Sequence, residues 1–388
     1  MRFSPLVNRI TGDAVNAWSI HFRATNMARH DKEIILLSVG EPDGDTPERV
    51  VNAAIASLYQ GRTHYVPAAG EMALRQAVAG YHNRYAHKPV TANNVVIVPG
   101  AQCGLFATVL CLLSSGDEVI IPEPMYPSYP GMVGATGATI VTVPLPSENH
   151  FRLSAKKVEA AITSRTRAFL LTNPHNPTGS IVNQDTLTTI AALCQEHDLW
   201  VICDEVYRTV AFDQAHVSMA SIPGISKHCI TISSLSKSLA MTGWRIGWIV
   251  APEPLVEHLE NLLAVMLFGS PPFIQDAAVV ALEQCTDEML ALAAPYRTRR
   301  DLVCDILQTV PNLFVHKPAG GMYVMVDVRQ TGLTSTEFAE RLLAAQKVAV
   351  LPTDAFGASA EGHIRISLTM PDDKLAEACA RIRHFCLS

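Results

Sequence analysis

A lysine, an arginine and several serines lie close together between residues 233 and 245. The segment reads Ser233-Ser-Leu-Ser-Lys237-Ser, and Arg245 follows eight residues after the lysine. Serine hydroxyls and a guanidinium are suitable hydrogen-bond donors for a phosphate dianion. A lysine amine beside them can condense with an aldehyde. A lysine that follows a strand is more often a plain surface residue, so this segment alone does not decide the chemistry.

Three further polar segments also follow apolar runs. Asp204-Glu-Val-Tyr207 offers a carboxylate that could keep a ring nitrogen protonated, although an aspartate there could equally cap a helix. Asn173-Pro-His-Asn176-Pro-Thr-Gly179 is a rigid loop that would hold Asn176 in one orientation. Gly100-Ala-Gln102 opens a helix, and the free N–H groups at a helix N-terminus attract phosphate.

Short apolar runs alternate with helix-like stretches between about residues 94 and 250, and Gly, Pro, Asn or Asp bound the runs. Such runs are typical of strands buried on both faces. Ser154 is predicted to cap the helix Ala155–Ile162. The alternation predicts the α/β class with a mainly parallel, doubly wound sheet, which binds ligands at the carboxyl ends of its strands. The predicted strands are Val95–Val98, Val119–Ile121, Thr139–Val143, Ala168–Thr172, Trp200–Cys203, Cys229–Ser233 and Ile246–Val250.

The pattern changes after about residue 280. A long helical stretch contains Tyr296-Arg-Thr-Arg-Arg-Asp301, whose basic cluster is predicted to be a solvated face. Short strands near Tyr323–Val328 and His363–Ser367, with a helix between them and a closing helix, predict a smaller α+β domain. We therefore expect three parts: an N-terminal segment, 1–45, that packs with the small domain; a large seven-stranded domain wrapped by helices, 46–285; and the small domain, 286–388.

Composition excludes several classes of protein. The chain has 388 residues, 48% apolar and 17% charged, which argues against disorder. Its net charge of -6, without a basic stripe, makes nucleic-acid binding unlikely to be its function. The nine cysteines form no CxxC pair and there is no HExxH, so no disulfide framework and no metal site are predicted. No signal-peptide core or membrane-spanning apolar stretch is found, so we expect a cytoplasmic protein.

One glycine pattern is misleading. Gly131-x-x-Gly134-x-x-Gly137 resembles a dinucleotide-binding loop but lacks the G-x-G start. It also runs from a helix into a strand, the reverse of what pyrophosphate binding requires. We set it aside.

The four polar segments, in their order along the chain from Gly100 to Arg245, resemble the signature of the pyridoxal-phosphate (PLP) dependent aminotransferases of class I/II, which share the aspartate-aminotransferase fold. The resemblance covers essentially the whole chain. It implies three catalytic residues: Lys237 holds the cofactor as a Schiff base and shuttles a proton, Asp204 pairs with the pyridine nitrogen, and Tyr207 holds the ring's phenolic oxygen together with Asn176.

The resemblance also implies the other contacts of the cofactor. The amides that follow Gly100, with the side chains of Ser234, Ser236 and Arg245, would bind the phosphate. Tyr126 would stack on the ring. Tyr65 would reach the phosphate of a neighbouring subunit, which implies a homodimer with shared active sites. The implied cofactor-binding residues are Gly100, Ala101, Gln102, Tyr126, Asn176, Asp204, Tyr207, Ser234, Ser236, Lys237, Arg245 and Tyr65.

Two matches concern the substrate carboxylate. Arg365, in His363-Ile-Arg-Ile-Ser367, resembles the arginine that grips it, and a planar guanidinium binds a carboxylate through two parallel hydrogen bonds. The backbone of Gly40 would approach the same group. Asn176 and Trp18 complete the implied substrate-binding set.

The implied reaction moves an amino group from an amino acid donor to a 2-oxo acid acceptor by a ping-pong mechanism. The residue patterns of two segments, Ala17–Arg23 and Phe268–Asp276, resemble those of arginine–pyruvate transaminases. The guanidinium of an arginine donor would need a carboxylate partner in the pocket. Glu41, Asp43 or Asp45 could supply that carboxylate, although these loop residues could equally be solvated. Trp18 could instead offer a cation–π face.

Other functions stay open. Neutral or aromatic amino acids are alternative donors, whereas the lack of a second substrate-gripping arginine argues against a strict aspartate preference. A PLP-dependent C–S or β-lyase would use the same cofactor residues. A transcription regulator would need an N-terminal DNA-binding domain, for which we expect the first 45 residues to leave no room.

Overall fold

The computed structural model describes residues 2–11 and 17–388. Its centre is a seven-stranded sheet in the order β2-β8-β7-β6-β5-β3-β4. Only β8 runs antiparallel to its neighbours, β2 and β7. The prediction of a mainly parallel α/β sheet is confirmed. The strands are β1 (Ile35–Leu36), β2 (Val95–Val98), β3 (Glu118–Glu123), β4 (Thr139–Pro144), β5 (Thr166–Thr172), β6 (Trp200–Asp204), β7 (Cys229–Ser234), β8 (Gly247–Val250), β9 (Phe314–His316), β10 (Tyr323–Asp327), β11 (Val348–Ala349), β12 (Leu351–Pro352) and β13 (His363–Ser367).

Helices cover both faces of the sheet because its inner strands are apolar on both sides. In β2, Val96 and Val98 face one hydrophobic cluster, whereas Val95 and Ile97 face another. The helices are α1 (Leu6–Thr11), α2 (Ser19–Ala28), α3 (Glu48–Tyr59), α4 (Met72–Asn83), α5 (Ala101–Leu112), α6 (Tyr129–Thr136), α7 (Ala155–Ala161), α8 (Gln184–Glu196), α9 (Leu235–Ser238), α10 (Glu253–Met266), α11 (Pro272–Gln284), α12 (Thr286–Leu307), α13 (Ser335–Gln346) and α14 (Asp372–Leu387).

A second, antiparallel sheet has the order β12-β13-β10-β9. Its apolar side chains form one cluster with residues of α12, α13 and α14, as expected of a smaller α+β unit. The N-terminal part joins this cluster through Ile20 and Ala24, and β1 pairs in parallel with β11. The residue boundaries of the three predicted parts stay a prediction.

The prediction of a solvated basic face on α12 is wrong for Arg299 and Arg300, whereas Arg297 is exposed. Arg299 is 8% exposed and Arg300 only 1%. Arg299 donates to both carboxylate oxygens of Asp43, at 2.8 and 2.7 Å, and to Asp372 at 3.0 Å. Arg300 donates to Asp213 at 2.5 Å. Buried charges of this kind must be paired, and the partners lie in distant parts of the sequence.

The predicted cap of α7 is also wrong. The hydroxyl of Ser154 makes no capping hydrogen bond. Its backbone carbonyl instead accepts from the amides of Lys157, at 3.0 Å, and Val158, at 3.1 Å. The helix therefore begins where expected, but without the side-chain bond.

The misleading glycine pattern serves helix packing. A Cβ atom on Gly131 would lie 2.8 Å from the carbonyl oxygen of Ile10, and one on Gly134 would lie 2.5 Å from that of Arg9. The two glycines thus let α1 approach α6 closely. Across the described ranges, no helix is long and apolar enough to cross a lipid bilayer.

Candidate active site

A cavity of about 250 Å³ opens at the carboxyl ends of β5, β6 and β7. Most of the residues predicted for the cofactor and the substrate line it, although they come from distant parts of the sequence. Gly100 and Arg365 adjoin it through their contacts with lining residues. The predicted residues in the lining are Trp18, Gly40, Ala101, Gln102, Tyr126, Asn176, Asp204, Tyr207, Ser234, Ser236, Lys237 and Arg245.

Hydrogen-bond donors gather at one end of the cavity. Gly100, with a φ of 81°, caps α5, and a Cβ atom there would lie 2.4 Å from Nη2 of Arg245. Only glycine fits this backbone and this approach. Arg245 is held by the carbonyl oxygens of Thr242, at 2.8 Å, and Pro99, at 3.3 Å. The helix N-terminus and the guanidinium therefore face one small volume, which suits an anion.

Lys237 lies on the short helix α9, directly after β7. Ser234 caps this helix, because its hydroxyl accepts from the amide of Ser236 at 3.4 Å. The amine of Lys237 donates to the carbonyl oxygen of Gly40 at 2.7 Å. The amine is thus placed between the donor-rich end and the loop that precedes α3.

Asp204 lies on the opposite wall and is 7% exposed. Its carboxylate accepts from the hydroxyl of Tyr129 at 3.0 Å and from the amide of Val206 at 3.2 Å. The Tyr129 hydroxyl is also 2.6 Å from that of Thr172. Burial raises the pKa of Asp204 to about 6, although these hydrogen bonds and Lys237 oppose the rise. A cation placed here would favour the ionised form.

Arg365, on β13, is 1% exposed. It donates to Oδ1 of Asn176 at 2.9 Å and to the carbonyl oxygen of Ser38 at 3.0 Å. Both of these partners, within the described part of the chain, are neutral, and Nε of Arg365 is buried without a partner. A buried guanidinium with spare donor capacity is suited to receive a carboxylate.

Tyr207 lies between these two walls. Its hydroxyl is 3.5 Å from Nδ2 of Asn176, a long contact, and 3.1 Å from the hydroxyl of Tyr323. Burial raises the pKa of Tyr207 well above its usual value, so the phenol is neutral. A neutral phenol and an amide can both hold a ligand oxygen.

The predicted aromatic residues divide into two groups. The ring centroids of Trp18 and Tyr126 are 6.5 Å apart at the cavity, and the Arg365 guanidinium carbon is 5.8 Å from the Trp18 ring. Tyr65 is not part of this lining. It is 84% exposed and packs edge-on against Phe268 at 4.9 Å. Its predicted reach into a neighbouring subunit stays a prediction.

Two of the acidic residues on the loop beside Gly40 already have hydrogen-bond partners. Asp43 is held by Arg299 through both oxygens, so it is not free for a substrate guanidinium. Glu41 accepts from the hydroxyl of Thr242, a lining residue, at 2.6 Å. Glu41 and Asp45 remain predicted partners for a cationic donor.

Sequence reasoning missed four polar lining residues: Tyr129, Thr172, Thr242 and Tyr323. Thr172 ends β5, so its position beside Asp204 could have been inferred from adjacent parallel strands. Tyr129 begins the helix that contains Gly131 and Gly134, but no motif marked the tyrosine itself as a site residue. Tyr323 begins a strand of the other sheet, and nothing in the spacing connects it with Asp204 or Lys237.

The donor set fits pyridoxal phosphate. The lining offers an arginine, hydroxyls and a helix N-terminus for a phosphate, and the buried carboxylate of Asp204, which forms no ion pair among the described residues. The amine of Lys237 lines the same cavity. The missing Cβ at Gly100 lets the guanidinium of Arg245 approach the N-terminus of α5.

The comparison with known families agrees with this geometry. The model of "Aminotransferase class I and II" matches residues 32–382, so the chain belongs to this PLP-dependent family and is an aminotransferase.

The chain is also similar to individual aminotransferases along nearly its whole length. The chain is 52% identical to the arginine–pyruvate transaminase AruH of Pseudomonas aeruginosa over 382 residues, 98% of this chain and 97% of the relative. It is 38% identical to aromatic-amino-acid aminotransferase 2 of Thermococcus litoralis, with 92% of each chain covered. Among solved structures, aspartate aminotransferase from Thermus thermophilus superposes with a TM-score of 0.94 at 32% identity, covering 99% of this chain and 100% of that one.

Proposed function

We propose that this aminotransferase binds PLP in the cavity around Lys237 and transfers the amino group of arginine to pyruvate. The observation that carries the cofactor assignment is that Lys237, Arg245 and the buried Asp204 line one cavity. The 52% identity to an arginine–pyruvate transaminase over nearly the whole chain supports the choice of substrates.

When bound, PLP supplies a carbonyl that bonds to amines and a conjugated pyridinium ring that takes up the electron pair left by deprotonation. Asp204 would keep the ring nitrogen protonated, because a nearby negative charge favours the cationic form of its partner. Its hydrogen bonds from Tyr129 and Val206 would hold the carboxylate in one orientation.

Lys237 would move the proton. Its Nζ atom would take the proton from the donor's α-carbon as general base and deliver it to the cofactor's carbonyl carbon as general acid. The carbonyl oxygen of Gly40, which accepts from Nζ at 2.7 Å, would hold the amine near both carbons. A tether of this kind turns proton transfer into a step within one complex.

Arg365 would orient the substrate. Its guanidinium, braced by Asn176 and Ser38, would bind the α-carboxylate so that the C–H bond is aligned for cleavage. Asn176 would also hold the phenolic oxygen of the ring together with Tyr207. The same residues would serve the second half of the cycle, in which pyruvate receives the amino group.

We further propose a cytoplasmic homodimer in which Tyr65 completes the neighbouring subunit's phosphate site. Tyr65 is 84% exposed, and Phe268, which packs against it, is 59% exposed. An exposed patch of this kind commonly marks a protein interface.

A donor panel tests the proposal. The PLP-loaded protein is offered single amino acids without an acceptor, and the visible absorbance of the cofactor is followed. We expect arginine to bleach the visible band fastest and pyruvate to restore it, with alanine as product. Lys237→Ala should do neither.

Three outcomes would contradict parts of the proposal. If aromatic donors are converted faster than arginine, arginine is not the preferred substrate. Release of ammonia and pyruvate without an acceptor would indicate a lyase. Normal turnover by Lys237→Ala would refute the assignment of Lys237.

A further inference from the structure

One carboxylate outside the cavity lining joins the seven-stranded sheet to the second sheet. Glu123 ends β3, and its side chain is half-buried. Its Oε1 atom accepts from the backbone amide of Ser359 at 3.1 Å and from the hydroxyl of the same residue at 3.0 Å. Ser359 belongs to the turn 354–360, which connects β12 with β13. Because an ionised carboxylate can only accept, both bonds have a fixed direction.

The backbone of the turn fits closely against this carboxylate. Gly357 has a φ of 116°, and a Cβ atom there would lie 2.4 Å from Cγ of Glu123. Only glycine allows both this conformation and this approach. The carbonyl oxygen of Phe356 also accepts from the amide of Met125 at 2.7 Å. The turn is therefore seated on residues 123–125, directly before Tyr126.

Each side of this contact is anchored in its own sheet. The carbonyl oxygen of Glu123 accepts from the amide of Leu145 at 2.7 Å, where β3 pairs with β4. On the other side, the hydroxyl of Thr353 lies 2.8 Å from the carbonyl oxygens of both Ala360 and His363. These bonds close the base of the turn onto β13. The contact of Glu123 thus links β3 to β13 and not merely to a loose loop.

The turn also contacts the arginine proposed to bind the substrate carboxylate. Phe356 is fully buried, and its ring centroid is 5.3 Å from Cζ of Arg365, which lies on β13. Tyr126, one residue beyond Met125, lines the cavity. The segment that Glu123 begins therefore carries a predicted cofactor contact, and the turn that it holds supports a predicted substrate contact.

We propose that Glu123 is a positioning residue: it holds the turn 354–360 against the end of β3 and, through Phe356, fixes the position of Arg365 relative to the cofactor. This inference rests on the proposed roles of PLP and Arg365. It extends them to a residue that does not line the cavity. Because β3 stays in its sheet without the contact, the effect falls on carboxylate binding and not on the cofactor.

Removal of the carboxylate tests this role in the PLP-loaded protein. In Glu123→Ala, we expect KM for both donor and acceptor to rise about tenfold, while kcat falls less than about threefold. Propionate, which has a carboxylate but no amino group, is measured as a competitive inhibitor. Its Ki should rise by the same factor as KM. The affinity for PLP, measured by equilibrium dialysis, should stay within about twofold of wild type.

Conservative variants separate positioning from a general loss of structure. Glu123→Gln keeps an acceptor oxygen without the charge, and Ser359→Ala keeps the amide donor without the hydroxyl. Hydrogen bonds to a charged group are stronger than neutral ones, so each variant should raise KM and Ki about threefold. Glu361→Ala is the matched control. Glu361 is exposed just beyond the turn, and its carboxylate has no hydrogen bond or ion pair among the described residues. This variant should leave both constants unchanged.

A double variant tests the path from Glu123 to Arg365. In a Phe356→Leu background, the ring between the turn and the guanidinium is absent. Adding Glu123→Ala there should raise KM by less than about twofold, because residues that act through one contact have non-additive effects.

Several outcomes would overturn the inference. They are unchanged KM and Ki in Glu123→Ala, a loss of PLP affinity as large as the rise in KM, an equal effect of Glu361→Ala, or full additivity with Phe356→Leu. If Glu123→Ala fails to fold, Glu123→Gln and Ser359→Ala still decide, because unchanged constants in both would refute the role. If wild-type protein shows no visible band with PLP, the proposed function itself fails, and that result differs from an unchanged Ki.

Discussion

Two buried charges of opposite sign lie at the cavity, Asp204 in its lining and Arg365 adjoining it, and both are held by neutral groups. Asp204 ends a strand of the seven-stranded sheet, and its bonds come from a tyrosine hydroxyl and a backbone amide. Arg365 lies in the middle of the second sheet, and its bonds go to an amide side chain and a backbone carbonyl. Neither charge is paired with an opposite charge by its own hydrogen bonds.

The comparison shows how the protein keeps two charges buried without cancelling them. Neutral partners lower the cost of burial but leave each charge ready for a ligand group of the opposite sign. The basic cluster of α12 is the contrast: Arg299 and Arg300 are equally buried, but each is paired with an aspartate. Pairing within the chain indicates a structural role, and a charge held by neutral groups indicates a ligand site.

The largest effect is expected from removing the charge of Asp204. In Asp204→Ala, kcat should fall by about 10²–10³-fold, because electrostatic stabilisation of the developing charge is lost. Asp372→Ala, which removes an exposed partner of Arg299, is the control and should leave kcat within about twofold. Steady-state kinetics with saturating substrates measure both. An Asp204→Ala enzyme with nearly normal kcat would mean that Asp204 does not face the cofactor.

The second prediction concerns stability and pH. Because burial raises the pKa of Asp204 from 3.8 to about 6, the native protein binds this proton more tightly than the unfolded chain. The resulting stabilisation, about 3 kcal/mol, is complete below pH 4 and is lost as the pH rises through 6. Glu205, whose pKa burial raises to about 7, acts in the same direction.

Urea unfolding of the wild-type and Asp204→Asn apoproteins isolates the contribution of Asp204 to the pH dependence of the free energy of unfolding. Wild type should lose about 3 kcal/mol more than the variant between pH 4 and pH 7. Added PLP should reduce this loss, because a pyridinium would pair with the ionised carboxylate. Parallel pH curves for wild type and variant would contradict the assigned pKa.

A smaller effect is expected at the opposite charge. Arg365→Lys keeps the charge but loses the two-pronged geometry, so KM for donor and acceptor should rise by about 30-fold, while kcat falls less. Lys374→Arg, at an exposed site on α14, is a control for the reverse exchange. An increase confined to one substrate would show that Arg365 reads a side chain and not the shared carboxylate.

The smallest effect belongs to Tyr65, which lies outside both walls. Tyr65→Phe should weaken PLP binding about fivefold through loss of one hydrogen bond to the phosphate. Equilibrium dialysis with PLP measures it, and Tyr59→Phe, at another exposed tyrosine, should have no effect. Wild-type affinity in Tyr65→Phe would remove the argument for shared active sites.

The sequence predicted one wall of the cavity better than the other, for a physical reason. Lys237, Asp204 and Gly100 each follow a strand, and parallel strands bring their carboxyl ends to one edge, so their proximity could be inferred. Arg365 and Gly40 were expected only by resemblance to a family, because their approach depends on how the second sheet packs. Tyr323 carried no signal at all.

The errors have the same origin. The arginines of α12 look exposed by composition, but their aspartate partners lie in loops and helices far away in the chain. Local spacing contains no information about such long-range pairs. The glycines at 131 and 134, correctly set aside as a dinucleotide-binding loop, likewise have their role through a distant helix, α1.

A crystal structure of the protein grown with PLP tests the central claim most directly. The account predicts one cofactor that spans the cavity, with continuous density to Nζ of Lys237, its ring nitrogen beside Asp204 and its phosphate at Arg245. A cofactor bound elsewhere, or a ring nitrogen remote from Asp204, would contradict it.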